Sequence, residues 1–82
     1  MPSEQLLYRV REIVANIFNL PMDDVTPESS PETIDAWDSM GALTLTLELE
    51  QEFDTSISPE QSEQMKNVRA IAVGLTEMGI TA

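Results

Sequence analysis

The sequence DSMGALTLTLELEQEF, which runs from Asp38 to Phe53, sets the architecture of the whole chain. Its leucines alternate with polar residues from Leu43 to Leu49, and by period alone this alternation is typical of a half-buried strand. Three features favour a helix. A carboxylate and a hydroxyl stand directly before the apolar run, its residues have strong helix propensity, and it is longer than most strands. The stretch therefore predicts a helix over about residues 39–53.

Wound at about 100° per residue, this helix has two apolar stripes. The inner stripe has the spacing of a buried helical face and consists of Ala42, Leu45, Thr46, Leu49 and Phe53. The outer stripe points largely to solvent and consists of Met40, Leu43 and Leu47, with Glu48, Glu50 and Gln51 around it. An apolar strip that is ringed by carboxylates and begins beside Ser39 indicates a surface on which another molecule docks.

The residues before this helix predict a first helix and a long connection. Ser3 is a suitable N-cap for a helix over about residues 3–19, whose apolar face is Leu6, Leu7, Val10, Ile13, Val14, Ile17 and Phe18. Pro21 ends this helix, and residues 20–37 carry three prolines and no sustained period. A loop of this length needs anchors in the core, for which the candidates are Val25, Ile34 and Trp37.

The residues after the central helix predict two more helices. Asp54 to Ser56 is a turn, and Ile57 is an isolated apolar residue that fills the core. A short third helix over about 59–65 has Ser58 as its cap and Pro59 at its first position, and a fourth over about 68–78 is capped by Asn67. The predicted fold is therefore all-α, a four-helix bundle in one domain, residues 1–82, with a long loop between helices 1 and 2.

Composition argues against an enzyme. The 82 residues include no Cys and no His, so a thiolate nucleophile, the usual general base and the commonest metal ligand are all missing. No Gly-rich phosphate loop or metal-ligand cluster occurs either. No apolar run approaches the roughly 18 residues of a membrane span, and the first residues lack the order of a signal peptide. These features predict a cytoplasmic protein that does not insert into membranes.

The charge is strongly negative and unevenly placed. The sequence has fifteen acidic and four basic residues, which gives a formal net charge of −11. No basic residue lies between Arg11 and Lys66. A field of one sign repels nucleic acid and attracts proteins with basic patches. The alternative is that the acids only keep a small domain soluble.

Asp38-Ser39 before an apolar run can be a simple N-cap. Its setting is more distinctive, because at these residues the chain resembles the acyl carrier protein and peptidyl carrier protein family. The hallmark of that family is Asp-Ser-Leu or, as at Asp38-Ser39-Met40, Asp-Ser-Met at the start of an acidic second helix after a long loop. The resemblance extends over nearly the whole chain, through LELEQEFDTSI to the short third helix before NVRAIAVGL.

The resemblance implies that Ser39 receives 4'-phosphopantetheine from coenzyme A and that the thiol of this arm carries acyl or aminoacyl groups as thioesters. It implies that Asp38 caps the helix and, in the transferase complex, lies near the bound metal. The implied partners are a phosphopantetheinyl transferase, an acyl- or aminoacyl-loading ligase or adenylating enzyme, and downstream acyl-transferring enzymes. The implied docking surface on this monomer has an apolar centre and a charged rim, formed by Met40, Leu43, Leu47, Glu48, Glu50, Gln51 and Glu52.

Three departures from fatty-acid carriers favour a specialised pathway. Ala36-Trp37 stands before the motif in place of a small pair such as Gly-Ala, Met40 stands in place of Leu, and Thr46 lies in the inner stripe. Polyketide, nonribosomal peptide or aminoacyl-modification chemistry is the expectation, with Trp37 as a core anchor. The alternative function is an unmodified acidic helical adaptor that binds a partner through the same outer face of helix 2.

Overall fold

The computed structural model describes residues 2–80, which form four α-helices, one short 3-10 helix and no strand. Met1, Thr81 and Ala82 lie outside this range. The elements in chain order are α1 (Glu4–Phe18), the 3-10 helix (Met22–Asp24), α2 (Ser39–Phe53), α3 (Pro59–Gln64) and α4 (Val68–Glu77). The all-α fold class predicted from the sequence is confirmed. No helix of the described range is both long and apolar enough to cross a lipid bilayer.

Each helix begins at a residue whose side chain accepts a hydrogen bond from a backbone amide of the first turn. Ser3, Asp38, Ser58 and Asn67 are the four N-caps. At α3 the Ser58 hydroxyl accepts from the Gln61 amide, and the Gln61 side chain accepts in return from the Ser58 amide. Such caps satisfy donors that a helix leaves without intrahelical partners, so the polar residues between the apolar runs fix where the helices start.

Two of the helices, α1 and α2, end where the chain turns into a left-handed conformation. Asn19 after α1 and Asp54 after α2 have φ values of 56° and 50°. Asn and Asp tolerate this conformation better than most residues. The Asn19 amide donates back to Ala15 and Asn16 carbonyls, and the Asp54 amide donates to the Glu50 carbonyl.

One continuous core joins the helices and the long connection. α1 packs against both α2 and α4, and α3 packs against α4. The apolar side chains that are buried in this core are Leu6, Val10, Ile13, Val14, Ala15, Phe18, Val25, Ile34, Trp37, Leu45, Leu49, Ile57, Met65, Val68, Ile71, Ala72 and Leu75. The predicted anchors of the loop, Val25, Ile34 and Trp37, are therefore confirmed, as is Ile57.

Hydrogen bonds hold the long connection to α1 and to α4. The Arg11 guanidinium of α1 donates to the Val25 and Met22 carbonyls at 2.7 and 3.0 Å. At the other side, the Val68 and Arg69 amides of α4 donate to the Ser29 and Pro27 carbonyls at 3.0 and 2.8 Å. The loop thus supplies hydrogen-bond acceptors to the first turn of α4. Its last residues, which lead into α2, belong to the same packed structure.

Candidate functional site

The start of α2 lies two residues after a buried tryptophan. Trp37 is only 3% exposed, and its ring stacks on Phe18 with 5.7 Å between the ring centroids. The next residue, Asp38, is exposed and extended, and Ser39 is the first residue of the helix. Because Trp37 is held in the core, the position of Ser39 on the outside of the molecule is fixed by the fold.

Asp38 fastens the first turn of α2. Its Oδ1 atom accepts a hydrogen bond from the Gly41 amide at 2.8 Å, and its backbone carbonyl accepts from the Ala42 amide at 2.7 Å. A carboxylate at this position also interacts favourably with the positive end of the helix dipole. The cap predicted from the sequence is confirmed, and it leaves the amides of Ser39 and Met40 without intrahelical acceptors.

The Ser39 hydroxyl is accessible. The residue is exposed, and its side chain makes no hydrogen bond to any other residue between positions 2 and 80. The unbonded first-turn amides beside it favour an anion, because a helix N-terminus combines free N–H groups with a positive partial charge. A phosphodiester on this oxygen would therefore meet donors and open solvent, so the residues present fit a phosphopantetheine group.

The outer face of α2 has the composition that the sequence predicts. Met40, Leu43 and Leu47 are 73%, 56% and 51% exposed, whereas Leu45 and Leu49 of the inner stripe are 3% and 1% exposed. Single exposed leucines are ordinary, but three large apolar side chains in one row beside Ser39 form a patch. We call this row the outer strip.

The acidic residues around the outer strip differ in what they contact. Glu48 is half-buried and Gln51 is exposed, and neither side chain has a hydrogen-bond partner in the described part of the chain. The Glu50 carboxylate, in contrast, accepts from the Ile57 amide at 2.8 Å and so holds the turn after α2. The Glu52 carboxylate pairs with Arg9 of α1 at 2.8 Å. Two of the predicted rim residues thus have structural contacts of their own.

The basic side chains leave the acidic surface largely uncompensated. Arg9 pairs with Glu52 and lies over the Phe53 ring, Arg11 donates to loop carbonyls, and Arg69 pairs with Glu28. Lys66 is exposed and forms no ion pair within residues 2–80. No arginine or lysine therefore contacts Glu48 or Gln51 in that range, and a basic partner finds these groups available.

Gly41 is a residue of this site that the sequence analysis did not identify. A Cβ atom built on it would lie 2.2 Å from the Ala36 carbonyl oxygen and 2.9 Å from Cε1 of Phe18. The first turn of α2 therefore packs directly on the end of the long connection. The available signal was the glycine itself, since glycine inside a helix costs about 1 kcal/mol relative to alanine and needs a reason to be there.

The arrangement presents a nucleophile without activating it. The sequence has no His or Cys, and no group of three or more acidic side chains in the described residues is placed to hold a metal. A serine hydroxyl is a weak nucleophile until a base or a metal acts on it.

Comparisons with known proteins identify the family of the chain. A family model described as a phosphopantetheine attachment site matches residues 9–72. This defines a class of helical carrier domains that bear 4'-phosphopantetheine covalently on a serine. The chain belongs to the acyl carrier protein family of such phosphopantetheine carriers.

Three relatives show how far the similarity extends. The acyl carrier protein of Thermosynechococcus vestitus is 33% identical over 72 residues, which cover 87% of this chain and 88% of that protein. The acyl carrier protein of Rubrobacter xylanophilus is 35% identical over 69 residues, or 83% of this chain and 84% of its own. The acyl carrier protein of Petrotoga mobilis is 33% identical over 69 residues, with coverages of 83% and 80%.

The acyl carrier proteins of this family are non-catalytic carriers. It also implies interaction with a phosphopantetheinyl transferase and with enzymes that process acyl groups. The predicted cofactor, 4'-phosphopantetheine, is confirmed at the level of the family.

Proposed function

We propose that the protein is a single carrier domain whose attachment serine is Ser39. The observation that carries this proposal is an exposed serine whose hydroxyl has no hydrogen bond to any residue between positions 2 and 80. This serine stands at the first position of α2, directly after the capping Asp38. The other serines of the family-matched range offer less. Ser29 is buried, and Ser58 is engaged in the cap of α3. The Ser30 hydroxyl accepts from the Glu32 amide, and the Ser62 hydroxyl lies within hydrogen-bond distance of the Thr46 hydroxyl. Ser56 lies in a loop with no helix N-terminus at its own position.

The chain contributes position and electrostatics to the modification. The Ser39 oxygen forms the new bond to phosphorus, the adenosine bisphosphate part of coenzyme A leaves with the electrons of the broken bond, and the hydroxyl proton passes to a base of the transferase. The first-turn amides of α2 then face the phosphodiester, whose negative charge they favour. When bound, the group supplies a terminal thiol on which acyl or aminoacyl groups are held as thioesters.

The docking surface we propose is the outer strip with its charged surroundings. Met40, Leu43 and Leu47 form the apolar centre beside Ser39, and Glu48 and Gln51 meet basic side chains of partner enzymes. Glu50 and Glu52 contribute negative potential to the same surface while keeping their contacts to Ile57 and Arg9. An apolar centre with a charged rim suits partners that must exchange, because rim charges act mainly on the rate of encounter.

The pathway we propose is a specialised one in the cytoplasm, in which the protein acts as a monomer. A loading ligase or adenylating enzyme would charge the arm, and acyl-transferring enzymes would use the acyl or aminoacyl thioester. The support is compositional: Ala36-Trp37 precedes the motif, and Thr46 stands in the inner stripe where its hydroxyl donates to the Ala42 carbonyl at 2.9 Å.

The test is the intact mass of the purified apo protein after incubation with coenzyme A and a phosphopantetheinyl transferase of broad specificity. We expect the wild-type chain and Ser56→Ala to gain one phosphopantetheine group, and Ser39→Ala to gain none. Ser56 is the matched control because it is exposed and has no side-chain hydrogen bond in the described residues. An unchanged wild-type mass would instead favour an unmodified adaptor.

A further inference from the structure

The close packing at Gly41 has a direct bearing on how Ser39 is presented. Of the three glycines, Gly41 is the one where an added Cβ would meet backbone, at 2.2 Å from the Ala36 oxygen. Cβ atoms essentially never lie less than 3.0 Å from a carbonyl oxygen, so a side chain of any size at position 41 requires the backbone to move. Gly74, the other helical glycine, would meet only the flexible end of Met65 at 3.1 Å, and Gly79 would meet nothing within 4 Å.

The Ala36 carbonyl cannot easily move away from position 41. It lies between two anchors of the long connection, Ile34 and Trp37, which are 6% and 3% exposed. The Trp37 amide donates to the Ile34 carbonyl at 3.0 Å, which closes the turn around Ala36. On the other side of the contact, Phe18 is buried and stacked on Trp37. A larger residue at position 41 would therefore push the helix away from the loop and leave the loop in place.

Helical geometry links this contact to Ser39. Residues two apart on an α-helix point about 200° apart, so Ser39 faces away from the loop when Gly41 faces it. The Asp38 carboxylate bonds the Gly41 amide at 2.8 Å, which ties the cap to the same residue. The turn that carries Ser39 is thus held by the cap on one side and by direct backbone packing on the other.

We infer that Gly41 is a positioning residue for Ser39, a role that rests on the proposed function of Ser39 as the attachment site. By having no side chain, Gly41 lets the first turn of α2 lie directly on Ala36 and Phe18, and this fixes the direction and position of the Ser39 hydroxyl. Displacement of a reacting group by about 1 Å can slow a reaction by about a hundredfold. A methyl group at position 41 therefore lowers the rate at which Ser39 is modified.

The experiment compares Gly41→Ala with Gly74→Ala. Both changes replace a helical glycine by a residue with higher helix propensity, so helix propensity alone predicts the same gain for both. We expect Gly74→Ala to be modified at the wild-type rate. We expect Gly41→Ala to be modified about ten- to a hundredfold more slowly per folded molecule, with the folded fraction measured by circular dichroism under the reaction conditions.

A further variant separates positioning from a general loss of stability. Ile71→Val shortens a core residue of α4, which lowers stability through a change outside α2. A merely structural role for Gly41 predicts that Gly41→Ala and Ile71→Val, compared per folded molecule, are modified equally fast, and that result would overturn the inference. Phe18→Leu keeps the glycine but shortens the ring beside it, so we expect a several-fold slowing. This variant decides the question if Gly41→Ala does not fold.

Amide hydrogen exchange gives a readout that needs no modification at all. In Gly41→Ala we expect faster exchange at residues 41 and 42, whose amides are bonded to Asp38 in the wild-type chain, and wild-type exchange there in Gly74→Ala. Unchanged exchange at these residues would contradict the inference. If the wild-type chain gains no mass with the transferase while exchange behaves as expected, the function proposed for Ser39 fails and the packing role of Gly41 stands.

Discussion

Asp38 shows how one side chain can serve both the fold and the chemistry of the site. Its carboxylate caps α2 through the Gly41 amide, and the same negative group stands next to the hydroxyl that we propose for modification. We propose a second role for this aspartate, which the family resemblance implies, near the metal of the transferase complex. The two roles make different demands, because a cap needs only an acceptor oxygen whereas a metal prefers a charged one.

Replacing Asp38 in two ways separates these roles. Asp38→Ala removes the cap and should lower the free energy of unfolding by about 1 kcal/mol, measured by denaturant titration. Asp38→Asn keeps an acceptor of equal capping strength, so its stability should stay within a few tenths of a kcal/mol of wild type. We expect both variants to be modified more slowly. Wild-type modification of Asp38→Asn would limit Asp38 to the cap.

For single residues, the sequence alone was enough to predict hydroxyls and N-caps, but it did not predict close packing. The N-caps were recognisable because the capping interaction is local and is made within three residues. They are Ser3, Asp38, Ser58 and Asn67. Gly41 was not recognisable, because what excludes its side chain is the Ala36 carbonyl and the Phe18 ring, brought there by the fold.

Helix α2 divides its surface between the core and other proteins. Its leucines alternate in sequence, yet on a helix they separate into an inner stripe with Leu45 and Leu49 and an outer strip with Leu43 and Leu47. Period alone favoured a strand, and capping, propensity and length outweighed it, which the structure confirms. The same reasoning could not foresee that Glu50 holds the turn, since its hydrogen bond to the Ile57 amide depends on the path of the chain after α2.

Two charge reversals on α2 should therefore have different effects. Glu48→Lys should slow modification and acyl loading several-fold at low salt without lowering the melting temperature, because its carboxylate has no partner in the described residues. Glu50→Lys should slow them too and also lose about 1 kcal/mol of stability, because the Ile57 amide loses its acceptor. Rates by intact mass and melting by circular dichroism measure the two effects.

The control for this pair is Glu77→Lys, which makes the same change in net charge at an exposed position of α4. We expect near wild-type rates for it. Equal slowing by Glu48→Lys and Glu77→Lys would mean that only the total charge matters, and the outer face of α2 would then not be the docking surface.

The long connection shows the limits of prediction for an irregular element. Its three apolar anchors were predictable, since an apolar residue in a polar loop usually marks a contact with the core. The 3-10 helix Met22–Asp24 and the buried Ser29, whose hydroxyl accepts from the Thr26 amide at 2.9 Å, were not. The contacts that hold them in place are distant in sequence, because the Met22 carbonyl accepts from Arg11 of α1 and the Ser29 carbonyl accepts from the Val68 amide of α4. No local pattern encodes these contacts.

For the molecule as a whole, charge is the dominant feature. A formal net charge of −11 is carried by a body of 29 × 25 × 19 Å. Screening decides how strongly these charges repel: the Debye length is about 30 Å at 0.01 M salt and about 8 Å at 0.15 M. At low salt every acid therefore interacts with most of the others, whereas at physiological salt only neighbours interact.

The melting temperature should consequently rise with salt. Between about 0.01 M and 0.15 M salt we expect relief of roughly 1 kcal/mol of self-repulsion, which corresponds to about 4–8 °C for a domain of this size. Lys66→Glu removes an exposed cation without an ion pair in the described residues and should make the dependence steeper. A flat curve for both chains would show that the acids are spaced widely enough not to repel.

The proposed function depends on one covalent bond, which joins the phosphopantetheine group to Ser39. Its most direct test is to determine which residue carries the group. The protein is purified from cells that contain the transferase and cut with a protease specific for acidic residues, since no basic residue lies between Arg11 and Lys66. Tandem mass spectrometry then reads the peptide that carries residue 39. We predict fragment ions that place the phosphopantetheine on Ser39 and an unmodified peptide around Ser56. A phosphopantetheine group on any other serine, or a Ser39 that stays unmodified in active material, would contradict the account.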